Sequence, residues 1–217
     1  MAEKQNITVM LVDDHAMIRE GYRSLLWKQP RLELIVEASD GVQAYFRFKE
    51  FQPDLVIMDL SLPKQGGLET ITRIKQLSTK AKILVFTMHQ NPIYALQALR
   101  AGALGYVTKS SSPDILIKAI FEVYAEHQIL SPDIAQTLAL EKSGHEYTAL
   151  KSLTTREFEV FRMLAESQSK EDIAIALNIS PKTVSNTHYL IKRKLNVSSD
   201  IELIYLAIRM KVINLLV

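Results

Sequence analysis

The chain has 217 residues, 47% of them hydrophobic, with 26 Lys and Arg against 24 Asp and Glu and no cysteine. That is enough apolar material for two ordinary domains, and the missing cysteine excludes a disulfide framework and a thiolate metal site. No apolar run reaches the roughly 18 residues of a membrane span, and no basic segment leading into an apolar one opens the chain, so neither membrane insertion nor export is expected.

From the N-terminus, short apolar runs alternate with longer amphipathic segments. Residues 8–12, 32–38, 55–58, 83–87 and 106–108 predict five strands, and 16–27, 42–51, 68–75, 93–101 and 113–126 have helical spacing. Strict alternation of this kind implies right-handed crossovers and a parallel sheet covered on both faces, whose strands are apolar throughout. The expected fold is therefore a doubly wound five-stranded α/β unit. A weakly amphipathic segment follows over 131–141, and "EKSGHEYTALKS" is polar enough for a linker, which puts the boundary near 142–150. From Leu153 onward the pattern is helical only, over 155–165, 170–177, 181–195 and 200 to about 213. These segments predict three regions: residues 1–127, a linker with a helix over 128–149, and a small all-α unit over 150–217.

The charge is uneven. Residues 1–147 carry 16 basic against 17 acidic side chains, whereas 148–217 carry 10 against 7. Between Ile173 and Ser199, Lys182, Lys192, Arg193 and Lys194 meet no acid at all. That is a local basic patch of the sort nucleic acid attracts, although solvated helices also look like this.

In an open parallel sheet, functional groups collect in the crevice at the carboxyl ends of the strands. Asp13 and Asp14 follow the first strand, Asp59 ends the third, Thr87 ends the fourth and Lys109 follows the fifth. Each alone reads as a cap or turn residue; together they build one polar rim. Three neighbouring carboxylates repel one another unless a cation sits among them, and a hard divalent ion such as Mg²⁺ resolves this. One carboxylate can then attack a phosphoryl group while the ion and a lysine neutralise the charge that develops. Asp59, at the end of an uncharged strand, is the candidate nucleophile.

Those residues lie in "MLVDDHAMIREG", "DLVIMDLSLPKQGGLE", "LVFTMHQ" and "GALGYVTKS", whose order and spacing resemble the receiver domain of bacterial two-component response regulators over roughly residues 7–125. The resemblance implies a flavodoxin-like fold in which Asp59 accepts phosphate from a sensor histidine kinase. It further implies that Asp13, Asp14 and Asp59, with the Ser61 backbone carbonyl, organise Mg²⁺. Lys109 and Thr87 would contact the phosphoryl oxygens, and Tyr106 matches the aromatic residue that changes rotamer with Thr87. Many receivers have a cis proline after the lysine where this chain has Ser110. His89, read as a solvent-facing loop residue, is assigned no chemistry.

In the C-terminal unit, Ser180 followed by Pro181 reads as an N-cap with proline at the first helical position. Val184, then Thr187 or His188, then Ile191 and Leu195 form an apolar stripe. Lys182, Ser185, Asn186, Tyr189, Lys192 and Arg193 occupy the opposite face, with Thr183 beside them. The second helix of a helix-turn-helix reads base edges with polar side chains and grips phosphates with Lys and Arg, and this face supplies both. The stretch from "LTTREFEV" to "IKRKLNV" resembles the LuxR-type DNA-binding domain over about 150–212, which implies promoter DNA as partner and a homodimer on it. Relatives often have glycine where Ser167 stands and histidine where Thr187 stands, so their base preference is not carried over. Ile201, Leu203, Ile204, Leu206, Ile208 and Met210 give the last helix more apolar surface than a domain this small easily covers, as a dimer contact requires.

Together the two resemblances identify the chain as a member of the NarL/FixJ type of response regulator: a cytoplasmic, phosphorylation-controlled regulator of transcription, a switch and not a metabolic enzyme. Two rival readings differ in class. A haloacid-dehalogenase-like phosphatase also uses an Asp nucleophile and magnesium, but wants a second acid where Ser61 stands. A receiver whose helix-turn-helix works by protein contact alone fits the same motifs.

Overall fold

The computed structural model describes residues 6–63, 65–140 and 145–213, giving only the backbone for 145–147. It divides into two units: the first runs to Gln90 and resumes over Ala98–Ala135, and the second takes Asn91–Gln97 and continues from Gln136.

The sheet of the first unit contains β1 (Ile7–Val12), β2 (Leu32–Ala38), β3 (Leu55–Met58), β4 (Ile83–Thr87), β5 (Gly105–Thr108) and β6 (Ile129–Leu130), all parallel, in the order β2-β1-β3-β4-β5-β6. Between them run α1 (Ala16–Trp27), α2 (Gly41–Phe51), α3 (Gly67–Leu77), α4 (Pro92–Ala101) and α5 (Pro113–Tyr124). β3, β4 and β5 are buried at every position, as a sheet covered on both faces requires. On one face Val9, Leu11, Ile57, Leu84, Phe86 and Val107 pack with Leu26 of α1 and with Leu116, Ile120 and Val123 of α5. The alternate residues Met10, Val12, Val56, Met58 and Val85 are buried as well.

The expected five strands become six. β6 is only two residues long, too short to show any period, and it pairs Ile129 with Gly105 and Leu130 with Tyr106 along β5. The next residue holds it down, the Ser131 N–H donating to the Tyr106 carbonyl at 2.8 Å. Most expected helix limits agree to within two residues. α5 stops two residues short of the expected end, ahead of Glu126 in the left-handed region (φ 66°). α6 (Pro132–Leu140) follows β6, and α7 (His145–Lys151) is a helix in what was read as polar linker. Residues 141–144, at the start of that linker, lie outside the described residues.

The second unit continues with α8 (Thr155–Ala165), α9 (Lys170–Leu177), α10 (Pro181–Leu195) and α11 (Asp200–Arg209). A hydroxyl residue caps each start: Thr154 in a reciprocal box with Glu157, Ser169 on Asp172, Ser180 on Thr183 and Ser199 on Glu202. Asn178 in the left-handed region ends α9, and Ile179 and Ser180 complete a three-residue turn into α10, the helix-turn-helix connection. α11 ends at Arg209, short of the expected Ile213; Lys211 turns left-handed (φ 53°) and the Val212 N–H donates to the Ala207 carbonyl at 2.8 Å. Among the described residues no helix is long and apolar enough to cross a membrane.

Ser167 closes α8 with φ 61°, its N–H donating to Leu164 and that of Gln168 to Met163, a Schellman arrangement. A side chain is strained in this conformation and glycine is not. Ser167→Gly is expected to stabilise the second unit by about 1 kcal/mol, seen calorimetrically as a higher-melting transition of the full chain.

Candidate functional site

β1 is flanked by β2 on one side and β3 on the other, so the crossover direction reverses there and opens a crevice at the carboxyl ends of the strands. The ladders run one residue past the strands and fix what stands at the rim. The Asp13 N–H donates to Ala38 at 3.1 Å, that of Asp59 to Val12 at 2.9 Å, and that of Lys109 to Thr87 at 2.8 Å.

Lys109 reaches across the crevice. Its Nζ lies 2.5 Å from Asp13 Oδ2 and 2.6 Å from Asp59 Oδ2, and all three side chains are buried, at 4%, 2% and 2% exposure. Burial works against the lysine's charge, but Asp59 and Asp13 together more than offset it and hold its pKa above the usual lysine range. The other oxygen of Asp59, Oδ1, accepts from the backbone N–H groups of Leu60 at 2.6 Å and Ser61 at 3.2 Å. Asp59 is thus oriented at both oxygens.

Asp14 stands at the mouth. Its Oδ1 is buried and accepts no hydrogen bond, although His15 Nδ1 comes within 2.7 Å at poor alignment. Asp13, Asp14 and His15 can bring one ligand atom each within 4.8 Å of one another. An unsatisfied carboxylate oxygen beside a second carboxylate is a donor set that suits a hard divalent cation. Asp59 stands across Lys109 from that cluster.

Thr87 is fully buried, its Oγ1 lying 3.5 Å from the His89 N–H. The buried Tyr106 donates its hydroxyl to the His89 carbonyl at 2.9 Å, and Ser61 Oγ lies 3.1 Å from His89 Nε2. His89 therefore joins three of the expected site residues, although sequence reasoning gave it no part. No peptide bond among the described residues is cis, so Ser110 follows Lys109 in trans.

Sequence reasoning also missed Arg19, whose Nη1 donates to the Asp13 carbonyl at 2.7 Å. It missed Tyr22 too, whose pKa is raised chiefly by burial, within reach of the charges of Lys109, Asp13 and Asp59. Arg19 and Tyr22 stand three residues apart on α1, a spacing that places them on one face.

On α10, Lys182, Thr183, Asn186, Tyr189 and Arg193 are exposed, Ser185 and Lys192 half-buried. His188, not Thr187, completes the buried stripe with Val184, Ile191 and Leu195. The Arg193 guanidinium stands 5.9 Å over the Tyr189 ring, and Lys192 Nζ pairs with Asp200 at 3.1 Å. On α11, Leu203 and Leu206 are buried and Ile204 half-buried; Ile201 and Tyr205 are exposed one turn apart.

Residues 9–121 match the response regulator receiver domain, and 151–207 match the bacterial regulatory proteins of the luxR family. The response regulator UvrY of Escherichia coli K12 is 38% identical over 206 residues, 94% of each chain. The chain is a response regulator. Response regulator GacA of Pseudomonas aeruginosa is 34% identical over 94% of this chain and 96% of its own. Among solved structures, RcsB of Salmonella enterica serovar Typhimurium, bound to promoter P1flhDC in the presence of the phosphomimetic BeF3-, superposes with a TM-score of 0.75 at 28% identity, covering 94% of this chain and 100% of that one. Receiver followed by LuxR-family helix-turn-helix places this response regulator among the phosphorylation-controlled, DNA-binding regulators of transcription of the NarL/FixJ type, which are not enzymes. The phosphatase reading falls with the same matches.

Gly67, the first residue of α3, packs closely against the backbone of Asp59 and Leu60. A Cβ there would lie 2.2 Å from the Asp59 carbonyl oxygen and 2.6 Å from the Leu60 Cα. Gly67→Ala is expected to cost the first unit about 1–3 kcal/mol by pushing that backbone away, measured as a lower calorimetric transition of the response regulator.

Proposed function

We propose that Asp59 is the phosphoacceptor of this response regulator, charged by a sensor histidine kinase, and that Asp13, Asp14 and Asp59 with the Ser61 carbonyl hold Mg²⁺. The observation that carries the reading is the buried Lys109 bridge between Asp13 and Asp59 at the rim where the crossovers reverse. A bond forms between an Asp59 carboxylate oxygen and phosphorus as the kinase's histidine–phosphorus bond breaks. Lys109 exchanges a carboxylate partner for a phosphoryl oxygen, and Thr87 supplies a hydroxyl to another. Tyr106 moves with Thr87, its hydroxyl already tied to the loop of His89. Mg²⁺, when bound, neutralises the equatorial oxygens. The unsatisfied Asp14 Oδ1 supports its place.

The assigned regions are a receiver over 1–127, a linker over 128–149 and a DNA-binding unit over 150–217. The output is promoter DNA in the cytoplasm, bound as a homodimer, with Ile201 and Tyr205 of α11 as the apolar contact between copies. Lys182, Thr183, Ser185, Asn186, Tyr189, Lys192 and Arg193 face the DNA, as expected from the exposed side of α10.

Acetyl phosphate with Mg²⁺ is expected to add one phosphate to the protein by intact mass and none to Asp59→Asn; equal labelling of the variant refutes the assignment. On α10, reading and gripping separate. Asn186→Ala is expected to relax preference at one base position by roughly 1–3 kcal/mol with the salt slope unchanged. Arg193→Ala is expected to weaken all sequences alike and lower that slope by about one ion. Titrations over a salt series on matched and mismatched duplexes measure both, and wild-type behaviour in both variants favours an output by protein contact.

A further inference from the structure

α10 and α11 converge on one carboxylate oxygen. Asp200 Oδ1, in the first turn of α11, lies 2.9 Å from His188 Nε2 and 3.1 Å from Lys192 Nζ. His188 and Lys192 stand one turn apart on α10, so both side chains reach the same point. The two differ in their surroundings. His188 is buried, at 7% exposure, and its Nε2 has no aligned hydrogen-bond partner, whereas Lys192 stands at the edge of the face proposed to meet DNA. Asp200 itself is 63% exposed.

We infer that Asp200 and His188 act as positioning residues for Lys192, and that protonation of His188 releases Lys192 to a DNA phosphate and strengthens binding. This rests on the DNA-facing role proposed for α10.

With His188 neutral, the charge of Lys192 is matched by Asp200, and an approaching phosphate has to displace a carboxylate from it. With His188 protonated, two cations share one carboxylate. The imidazolium, short of any other aligned acceptor at Nε2, draws Asp200 to itself, and the ammonium turns to the phosphate. The charged groups that act most strongly on His188 are Asp200 from α11, Lys192 on its own helix and Lys170 from α9. Burial is the main influence holding the imidazole below the usual histidine range; Asp200 pulls the other way, and both lysines add to the effect of burial. His188 is therefore neutral near neutral pH and takes up its proton on the acid side. A nearby phosphate favours the protonated form, so a proton is bound along with DNA.

The sign follows. Affinity is independent of pH well above the His188 range and rises as pH falls into it, by up to about tenfold per pH unit for one proton. His188 is the single histidine between residues 146 and 217, and His188→Gln separates its share of the change from that of the other histidines of the chain.

The test is fluorescence anisotropy of the full chain on a mixed-sequence duplex of about 30 base pairs, at constant ionic strength, from about pH 8 to about pH 5.5. Wild-type protein is expected to bind more tightly toward acid, His188→Gln to lose that trend, and Asp200→Asn to bind more tightly than wild type at about pH 8 with a flatter profile. A wild-type pH profile in His188→Gln overturns the inference. Should burial make that variant misfold, the exposed Asp200→Asn decides, and wild-type affinity there at about pH 8 overturns it equally. Absence of binding by any form at any pH instead removes the DNA-facing role of α10, and the inference with it.

Discussion

Two buried carboxylates share one buried ammonium in the first unit, and the design of the sheet follows from that need. Asp13 and Asp59 end neighbouring strands, so parallel pairing of β1 and β3 brings like charges together out of water. Burying them is costly unless each is paired and hydrogen-bonded. Lys109 supplies the charge from the end of β5, two strands away from β3 in the sheet order, and its alkyl stem spans that width. The apolar burial of β3 to β5 is thus what lets a handful of polar atoms hold their positions.

Much of this was legible in the chain. Strands buried on both faces are continuous apolar runs, so β3 and β4 were read with the limits they have, and Asp59 just after β3 and Thr87 at the end of β4 fell at the rim. What escaped was whatever depends on the third dimension. β6 is two apolar residues between polar neighbours and is a strand only because β5 offers it an edge. α7 reads as linker because its sequence is polar, yet its backbone is helical. His89 was set aside as a loop histidine, since nothing in sequence joins it to Ser61 or Tyr106.

The same limit holds in the helical unit. Caps announce themselves locally, which is why Ser180 and Pro181 located the start of α10 without help. Whether Thr187 or His188 faced inward was undecidable, because both lie near the edge of one stripe, and packing against neighbouring helices chose His188. Lys192 read as a plain basic residue for the same reason. Its acid lies eight residues on, across the turn at Asn196, and only the close of α10 against α11 brings them together.

The Lys109 bridge also has a history within each molecule's synthesis. Translation delivers β1, β2 and β3 well before β5, and Asp59 precedes its lysine by 50 residues. A nascent chain that has paired β1 with β3 therefore carries two adjacent anions before the lysine that bridges them is made, and their repulsion opposes that pairing in the meantime. The sheet closes electrostatically only when its late-arriving strand docks. Folding of this unit is consequently biased toward completion as a whole rather than strand by strand from the ribosome.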